Sequence, residues 1–524
     1  MPKLRIAIID LVARGPNNSL FARFMHAILA SIMPQMVAAW CQKAGHDVQY
    51  ICYTGSERLT SLEDDFDLVF LSSFTEGAQA AYALSNFYRA RGAVTALGGP
   101  HARCYPEDAQ KYFDYVLGFT DEALLNDVLQ DCQQHRPEGV YLSAKQQPTT
   151  FPGVRERWPF VAATLKKAPW IKIVPMIASF GCPYTCSFCI DAKIPYQPLD
   201  RDVLKEDLRF LMTKYKMPIV AWHDPNFGIR FDETMNAIEE VVPPGKIAFI
   251  AESSLSLLSE PHLKRLQHNG FRAALPGIES WYDLGNKSKT GAKQGMDKVL
   301  QVSEHVNMVL RYVPYVQTNF VLGLDCDEGR EPFELTKEFL KRTPGAFPGY
   351  SLLTAFGQAS ELNLSYQREE RVLPFPFHFL NNNQAMNVRP KNYKWTELYD
   401  NIIDLVRFSF SVKMVAKRFW SNRGWIVRLM NLVRGVSQEG WGRLKYHSHI
   451  RQRLENDVAF QRYFNQESEE LPIFYTRLIK KELGSLWRWL PEGALHHNAY
   501  AYAQAVNERE FSEQQSTPQS VLVS

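Results

Sequence analysis

Residues 173–189 read IVPMIASFGCPYTCSFC and decide the fold of the central part of the chain. The apolar run at the start of this stretch predicts a buried strand, and Gly181 predicts that the strand ends in a loop. The loop has three cysteines in the pattern C-x-x-x-C-x-x-C, while the other five cysteines of the chain are scattered. In a chain without an export signal, this clustering favours metal ligation over disulfides.

Three thiolates at this spacing, Cys182, Cys186 and Cys189, can each bind one iron of a [4Fe-4S] cluster. The fourth iron then has no protein ligand and can chelate the amino and carboxylate groups of S-adenosylmethionine. An electron from the cluster would cleave a carbon–sulfur bond of that cofactor. Two alternatives stay open at this point: a zinc site, which would need a fourth Cys or His nearby, and a chance cluster of buried thiols.

After the cysteine loop the sequence predicts successive βα units, as in a partial (β/α)6 barrel of the TIM type. Predicted strands end at polar or glycine-containing turns, and the carboxyl ends of barrel strands are where such folds place their chemistry. These turns are Asp224-Pro225-Asn226-Phe227, Glu252-Ser253-Ser254, Gly277-Ile278-Glu279-Ser280, Gly323-Leu324-Asp325 and Thr354-Ala355-Phe356-Gly357.

The cysteine motif, with aromatic Phe188 before its last cysteine, resembles the signature of radical S-adenosylmethionine enzymes. The Asp224 to Phe227 turn resembles the D-x-x-F turn of the cobalamin-type members, although the superfamily's more familiar Gly-Gly-Glu is replaced here. The resemblance implies a set of S-adenosylmethionine contacts at Phe188, Asp224, Asn226, Glu252, Ser253, Glu279, Gly323 and Phe356. An alternative for each carboxylate among them is that it caps the next helix.

The first 130 residues alternate strand and helix signals, which predicts a doubly wound, Rossmann-like parallel sheet. Ligands of such sheets lie beyond the carboxyl ends of the strands. The glycine-rich loops do not contain G-x-G-x-x-G, so the nicotinamide fingerprint is absent and a dehydrogenase loses its main support.

Residues 97–102, LGGPHA, resemble the cobalamin-binding domain that precedes many radical S-adenosylmethionine enzymes. Paired glycines after a strand allow the backbone to approach a flat macrocycle, whereas a tight turn in an ordinary Rossmann-like domain is the alternative. The loop 10–15 has no histidine at the spacing of the cobalt-binding D-x-H-x-x-G motif, so we expect no lower imidazole ligand from it. The resemblance implies cobalamin contacts at Asp10, Ser73, position 74 (Phe74), Gly98, Gly99, His101 and Gly118.

Length, composition and charge set wider limits. The chain has 524 residues, 22% of them charged, with a net charge of +3, which excludes wholesale disorder and gives no strongly basic nucleic-acid footprint. The start of the chain lacks a secretory pattern, and its apolar windows are too short to span a membrane, so we expect a cytoplasmic protein without a transmembrane segment. Nucleic acid is not expected as a partner.

The sequence predicts five segments. Residues 1–135 form the cobalamin-binding domain, 136–170 a linker, 171–375 the barrel with its [4Fe-4S] cluster, 376–507 a helical C-terminal cap, and 508–524 a disordered tail. Residues 395–434 interleave Arg and Lys with Trp and Phe, as an interfacial or RNA-binding helix pair would. We favour a helical cap that closes the mouth of the barrel, because no long basic run is present.

The resemblance implies a cobalamin-dependent radical enzyme, with a methyltransferase acting on an unactivated carbon as the leading hypothesis. The deoxyadenosyl radical would remove hydrogen from the substrate, methylcobalamin would deliver the methyl group, and a second S-adenosylmethionine would remethylate cobalamin. We expect a small-molecule or peptide substrate and an electron donor of the flavodoxin or ferredoxin type. The alternatives are radical cyclisation, rearrangement or oxidation without methyl transfer, and a non-catalytic iron–sulfur protein that binds or senses redox state.

Overall fold

The computed structural model describes residues 2–17, 26–62, 65–168, 171–184, 186–192, 194–282 and 293–504. Thr185 of the cysteine loop and the predicted disordered tail lie outside these residues. The described chain contains two parallel sheets followed by a helical C-terminal region, which confirms the predicted fold class.

The first sheet has six parallel strands in the order β2-β1-β3-β4-β5-β6. Alternate residues of β1 enter opposite cores: Ile6 and Ile8 pack in one cluster, and Ala7 and Ile9 in the other. This two-sided burial is typical of a sheet covered by helices on both faces. The strands are β1 Arg5–Leu11, β2 Asp47–Tyr53, β3 Leu68–Ser73, β4 Val94–Gly98, β5 Tyr115–Leu117 and β6 Val140–Leu142.

Helices connect these strands as a doubly wound sheet requires. The amphipathic pattern of residues 21–43 predicts one helix. In the described residues this helix begins at Ile32, after a short 3-10 turn at His26–Leu29, and residues 21–25 lie outside them. The helices are α1 Ile32–Lys43, α2 Ala78–Arg89, α3 Pro100–Cys104, α4 Pro106–Ala109, α5 Glu122–Asp131 and α6 Val154–Lys167.

The prediction of a linker at 136–170 is wrong for most of its length. Strand β6 pairs with β5 and completes the first sheet. Helix α6 packs on α1 and β2, and its N-terminus is held by Asp207, whose Oδ1 accepts a hydrogen bond from Val154 N at 2.7 Å. The segment is therefore a folded connection between the two sheets, and the other domain boundaries stay predictions.

The second sheet is a partial barrel of six positions, in the order β7, β10, β11, β12, β14 and β15, with all pairs parallel. The short strand β13 pairs with β14 on the edge that β12 also pairs with, but nearer to the carboxyl end of β14. The strands are β7 Ile173–Met176, β10 Ile219–Trp222, β11 Ala248–Ala251, β12 Phe271–Ala274, β13 Gly277–Glu279, β14 Tyr315–Leu322 and β15 Phe347–Leu352.

Each barrel position is followed by a helix, as the (β/α)6 prediction requires. The six helices are α7 Arg201–Lys214, α8 Phe231–Val241, α9 Glu260–His268, α10 Gly295–Tyr312, α11 Glu331–Arg342 and α12 Glu361–Arg368. An antiparallel pair, β8 Ser179–Phe180 with β9 Gln197–Pro198, lies between β7 and α7.

The helices of the C-terminal region are α13 Trp395–Ser409, α14 Val412–Ser421, α15 Trp425–Val436, α16 Arg443–Asn456, α17 Val458–Phe464 and α18 Ile473–Leu483. A 3-10 turn, Gly484–Trp489, follows and packs against α2 of the first unit. This region therefore contacts both sheets and not the barrel alone.

The expectation that the basic aromatic helices close the mouth of the barrel is wrong for α14 and α15. Arg418 Nε donates to Ala346 O at 3.1 Å and Asn422 Nδ2 to Gly345 O at 3.1 Å, and both acceptors lie directly before β15. Arg434 Nη1 donates to Gln317 Oε1, near the start of β14, at 2.7 Å. Helices α14 and α15 therefore cover the amino-terminal end of these strands, opposite the mouth. An amphipathic pattern indicates which face is buried but not which end of a barrel it covers.

Candidate functional site: the cysteine loop and the cavity between the sheets

The cysteine loop is held at its base by the β8–β9 pair, in which Phe180 faces Gln197. Gly181 follows β8 with φ of +64°, and a Cβ there would lie 2.2 Å from Pro195 O, so the close approach of the two loop ends requires glycine. Cys182 N donates to Ile194 O at 3.4 Å. The loop therefore leaves the sheet and returns to it within a narrow base.

The three cysteines differ in exposure: Cys186 is buried, and Cys182 and Cys189 are half-buried. All eight cysteines lie in the described residues and none forms a disulfide. Three thiols on one loop are the donor set that a [4Fe-4S] cluster with an open iron requires. In the described part of the chain no group of three or more His, Cys, Asp or Glu side chains is arranged to hold a metal ion, so the assignment of these three ligands stays a prediction.

A cavity lies between the carboxyl ends of the first sheet's strands and the cysteine loop. Its volume is about 260 Å³, and it is open to solvent. From the first unit it is lined by Ser31, Ile32, Phe74, Gly98, Gly99, Arg103, Leu117, Gly118, Phe119 and Thr120, among others. From the second it is lined by Ile177, Phe180, Gly181, Asp191, Ile194, His223 and Pro225.

One ion pair crosses this cavity wall. Arg103 Nη2 lies 3.4 Å from Asp191 Oδ1, and both side chains are about a quarter exposed. Asp191 N in turn donates to Cys189 Sγ at 3.4 Å. The loop after β4 is thus joined to the cysteine loop through two consecutive contacts.

The polar turn after β10 supports the cysteine loop from below. Asp224 is buried, and its carboxylate accepts hydrogen bonds from Ala178 N at 3.0 Å and Ser179 Oγ at 2.6 Å. Burial raises the pKa of Asp224 to about 6, against the lowering effect of these donors. Because Ser179 begins β8, the carboxylate fixes the strand that leads into Gly181 and Cys182.

The turn after β10 is hydrogen-bonded to the turn after β11. Asn226 Nδ2 donates to Ser254 Oγ at 3.0 Å, and Asn226 Oδ1 accepts from Ser254 N at 2.9 Å. Ser253 Oγ donates to Phe227 O at 2.9 Å. The turns after β10 and β11 are therefore one hydrogen-bonded layer at the mouth of the barrel.

Comparison with known proteins gives related methyltransferases. Bacteriochlorophyllide d C-12(1)-methyltransferase from Chlorobaculum tepidum is 22% identical over 406 residues, which cover 76% of this chain and 87% of the relative. Bacteriochlorophyllide d C-8(2)-methyltransferase from the same organism is 24% identical over 315 residues, covering 56% of this chain and 67% of the relative. No family model matches the chain.

Solved structures have the same architecture. The apo form of OxsB, a cobalamin-dependent S-adenosylmethionine radical enzyme, aligns with a TM-score of 0.55 at 12% identity and covers 98% of this chain and 80% of its own. The radical S-adenosylmethionine methyltransferase TsrM from Kitasatospora setae, with cobalamin and a [4Fe-4S] cluster bound, aligns with a TM-score of 0.52 at 13% identity, covering 70% of this chain and 75% of its own.

The chain has the fold of the cobalamin-dependent radical S-adenosylmethionine enzymes. The predicted resemblance is confirmed at the level of the fold. No helix among the described residues is both long and apolar enough to cross a membrane.

Four of the predicted cobalamin contacts line the cavity of this cobalamin-enzyme fold: Phe74, Gly98, Gly99 and Gly118. Gly99 has φ of +92°, and a Cβ there would lie 2.9 Å from Ser73 O, so the turn before α3 needs glycine for its backbone. At Gly98 a Cβ would meet no atom within 4 Å. The absence of a side chain at Gly98 therefore keeps space open at the cavity wall.

The other three predicted contacts lie behind the lining. Asp10 is buried, accepts hydrogen bonds from Ser31 N at 2.8 Å and Tyr50 Oη at 3.0 Å, and has its pKa raised to about 7 by burial. Ser73 Oγ donates to the backbone of the next residue. His101 is buried with Nε2 2.6 Å from Tyr82 Oη, and burial lowers its pKa to about 3. These groups support the wall and do not form it.

Of the remaining predicted S-adenosylmethionine contacts, Phe188 lies in the cysteine loop itself, and the others follow or end barrel strands. Glu252 is exposed, and Phe188 and Phe356 are half-buried. Glu279 has φ of +65° and folds its carboxylate over Gly277, where a Cβ would lie 2.0 Å from Glu279 Oε1. At Gly323 a Cβ would lie 2.8 Å from Met386 Sδ, so this glycine makes room for the C-terminal region. Their cofactor roles stay predictions.

Sequence reasoning missed several lining residues, above all Arg103, Asp191 and His223. Arg103 belongs to α3 and directly follows the predicted cobalamin segment 97–102, so its position next to that segment was a usable signal. Asp191 follows the last cysteine by two residues, but its pairing with Arg103 depends on how the two sheets pack. His223 directly follows β10 and precedes Asp224.

Proposed function

We propose that this protein is a cobalamin-dependent radical S-adenosylmethionine methyltransferase that places a methyl group on an unactivated carbon. The observation that carries the proposal is the cavity, because its two walls are the parts that such an enzyme must bring together. One wall is the glycine loop of the first sheet, and the other is the base of the cysteine loop, which contributes Gly181 and Asp191.

Each group of residues has a distinct task in this proposal. Thiolates of Cys182, Cys186 and Cys189 hold the cluster, and Gly98 and Gly99 let the backbone lie against the edge of the corrin. When bound, the cluster with S-adenosylmethionine supplies a radical that removes hydrogen from the substrate, and cobalamin supplies the methyl group.

The chain's own residues set the environment of that chemistry. Apolar side chains, among them Ile177, Phe180 and Leu117, form much of the cavity wall and reduce access of water to it. Asp224 holds β8 through Ser179 and so fixes the direction in which the cysteine loop leaves the sheet.

The substrate and the electron donor are proposals of chemical class. We propose a small molecule or a peptide that enters at the carboxyl ends of the barrel strands, and reduction of the cluster by a flavodoxin or ferredoxin. TsrM has been solved with tryptophan and a S-adenosylmethionine analogue bound, and it aligns with a TM-score of 0.52. The predicted cytoplasmic location stays a prediction.

The test is transfer of a labelled methyl group. The anaerobically loaded enzyme is incubated with methyl-deuterated S-adenosylmethionine, a chemical reductant and a small-molecule extract of the source cells, and products are compared by mass spectrometry. The proposal predicts 5′-deoxyadenosine together with a product that has gained one deuterated methyl group, both absent in a Cys182→Ala, Cys186→Ala, Cys189→Ala variant. A product that has lost hydrogen without gaining the label would contradict methyl transfer and favour cyclisation or oxidation.

A further inference from the structure

Helix α15, Trp425–Val436, has its apolar and polar faces reversed relative to a helix of a globular core. Of its twelve residues only Asn431 and Gly435 are buried. Trp425 is 68% exposed and Ile426 80% exposed, and most of the outer surface is apolar as well. The apolar residues that are exposed on this helix are Trp425, Ile426, Leu429, Met430, Leu432, Val433 and Val436.

The buried side of the same helix is polar. Neither the amide nitrogen nor the amide oxygen of Asn431 has a hydrogen-bond partner among the described residues. Arg434, on the same side, reaches Gln317 and the ring of Phe347. A soluble helix normally places its apolar stripe against the core and its polar residues outside, so the outer face of α15 is built to contact something other than water.

The exposed face continues onto α14 and the turn between the two helices. Trp420 is 72% exposed, and the ring of Phe419 lies 5.3 Å from that of Trp420 and 6.0 Å from that of Trp425. Trp441, after α15, is half exposed and donates its Nε1 to Phe410 O at 3.1 Å. We call this surface, from Trp420 through α15 to Trp441, the tryptophan face. Single exposed apolar residues are ordinary, whereas a contiguous set of this size marks an interaction site.

The charge around the tryptophan face has one sign. Between Ser411 and His449 the sequence has eight Lys or Arg residues and one acidic residue, Glu439. Glu439 is already paired with Arg434, with 2.7 Å between Arg434 Nη2 and Glu439 Oε1. Lys413, Lys417, Arg423 and Lys445 are exposed, and the guanidinium of Arg428 lies over the rings of Phe419 and Trp420. The border of the apolar face therefore carries unneutralised positive charge.

We propose that the tryptophan face docks this protein on an anionic membrane surface. Tryptophan and aliphatic side chains enter the boundary between headgroups and acyl chains, while Lys and Arg at the border contact anionic headgroups. A protein partner or a second copy of this chain would need acidic residues to match the border, and the face itself offers only Glu439. No helix of the described chain spans a membrane, so the contact is at the surface.

The position of the face fixes what this contact does. Helices α14 and α15 lie at the amino-terminal ends of β14 and β15, opposite the cysteine loop and the cavity. Docking therefore leaves the mouth of the barrel and its cofactor cavity directed away from the bilayer. The proposal concerns where the enzyme works and is independent of which reaction it catalyses.

Vesicle flotation with the full chain tests the proposal. Wild-type protein is mixed with phosphatidylcholine vesicles and with vesicles that also contain phosphatidylglycerol. We expect flotation with the anionic vesicles, weaker flotation at high salt, and a blue shift of tryptophan fluorescence on binding. Ile426→Glu with Leu429→Glu should lower the partition coefficient by tenfold or more. Ile473→Glu changes a residue on another helix whose exposed fraction lies between those of Ile426 and Leu429, and it should have no effect.

Charge reversal tests the role of the basic border independently of the apolar residues. Lys413→Glu with Arg423→Glu keeps the apolar face and should abolish the preference for phosphatidylglycerol while leaving the melting temperature unchanged. Wild-type protein that stays unbound to the anionic vesicles would overturn the proposal. Two other results would also overturn it, each in protein that does not bind vesicles. In one, Ile426→Glu with Leu429→Glu converts a dimer to a monomer; in the other, the same substitutions remove binding to RNA.

Discussion

Arg103 and Asp191 form an ion pair across the boundary between the two sheets, with 3.4 Å between Arg103 Nη2 and Asp191 Oδ1. Arg103 belongs to α3, which follows the glycine loop, and Asp191 to the cysteine loop, where its backbone contacts Cys189 Sγ. The same boundary contains a second contact, since Gln358 N donates to Cys104 O at 3.1 Å. The two predicted cofactor loops are therefore mechanically joined.

The first prediction concerns this pair. Arg103→Ala should lower the corrinoid content of the purified protein, because it frees Asp191 and loosens one wall of the cavity. Its coupling to Asp191→Ala in a double-mutant cycle of unfolding should be about 1 kcal/mol or less, since the pair is partly exposed. As the control, Lys43→Ala breaks a more exposed pair with Glu122 and should leave corrinoid content unchanged. Corrinoid content equal to wild type in Arg103→Ala would refute the assigned role.

The second prediction separates binding from folding at Gly98. Gly98 borders the cavity, and a Cβ added at this position would meet no atom within 4 Å. Gly98→Leu should therefore keep the wild-type free energy of unfolding and lose most of the corrinoid, as measured by absorbance after anaerobic reconstitution. Retention of full corrinoid in a stably folded Gly98→Leu protein would place cobalamin elsewhere.

The third prediction compares two glycines with the same backbone. Gly99 and Gly92 both have φ of +92°, but only Gly99 has backbone within 3 Å of its Cβ position, at Ser73 O. Both alanine variants should lose about 1 kcal/mol or more from backbone strain, and Gly99→Ala should lose more because of the added clash. Denaturant unfolding measures the difference. Equal losses would show that the end of β3 can move away from Gly99.

The fourth prediction concerns the dependence of stability on pH. Burial raises the pKa of Asp10 to about 7 in the folded state, whereas the unfolded carboxyl has its ordinary value near 4. The unfolded state therefore ionises first as the pH rises, and the stability present below pH 4 is lost progressively up to about pH 7. Asp10→Asn should not show this loss. Between pH 5 and 7.5 the free energy of unfolding of the wild type should therefore fall by about 2 kcal/mol more than that of the variant. A slope identical to wild type would mean that Asp10 ionises normally.

The fifth prediction concerns the C-terminal region. The ring of Trp489 lies 5.2 Å from that of Phe87 on α2, and the guanidinium of Arg91 lies 5.1 Å from the Trp489 ring. Trp489→Ala should lower the free energy of unfolding by about 2 kcal/mol or more. Trp425→Ala removes a tryptophan that is exposed to solvent and should change it by less than about 0.5 kcal/mol. Equal effects of the two substitutions would show that the contact on α2 is not stabilising.

Local patterns in the sequence predicted the parts of the fold that depend on neighbouring residues. The sequence predicts strands at residues 5–11 and 47–53, and β1 and β2 have these boundaries, because a buried strand bounded by polar residues and a turn is a short-range signal. The turn at Asp224 and its neighbours was predicted in the correct order along the barrel. Strand β6 was missed because it is a short edge strand whose residues are exposed or half-buried and give no apolar pattern. Helix α6 was missed because Pro159 lies inside it and its buried Arg157 is paired with Gln35 from α1.

In the candidate site, too, the sequence predicted local features and missed contacts between distant residues. Gly98, Gly99 and Gly118 were found because a glycine at the carboxyl end of a parallel strand points to a ligand edge. The ion pair of Arg103 with Asp191 joins positions 88 residues apart, and nothing in the local sequence indicates it. The buried position of His101 depends on Tyr82 and on Phe377 from the C-terminal region, which no local pattern reveals.

The most direct test of the central claim is the cofactor content of the anaerobically purified protein, with cobalamin supplied during expression. Iron, sulfide and corrinoid are quantified in the wild type, in the Cys182→Ala, Cys186→Ala, Cys189→Ala variant and in Gly98→Leu. The account predicts about four irons and one corrinoid per wild-type chain, with iron lost in the cysteine variant and corrinoid lost in Gly98→Leu. Four irons without corrinoid in the wild type would contradict the methyltransferase mechanism.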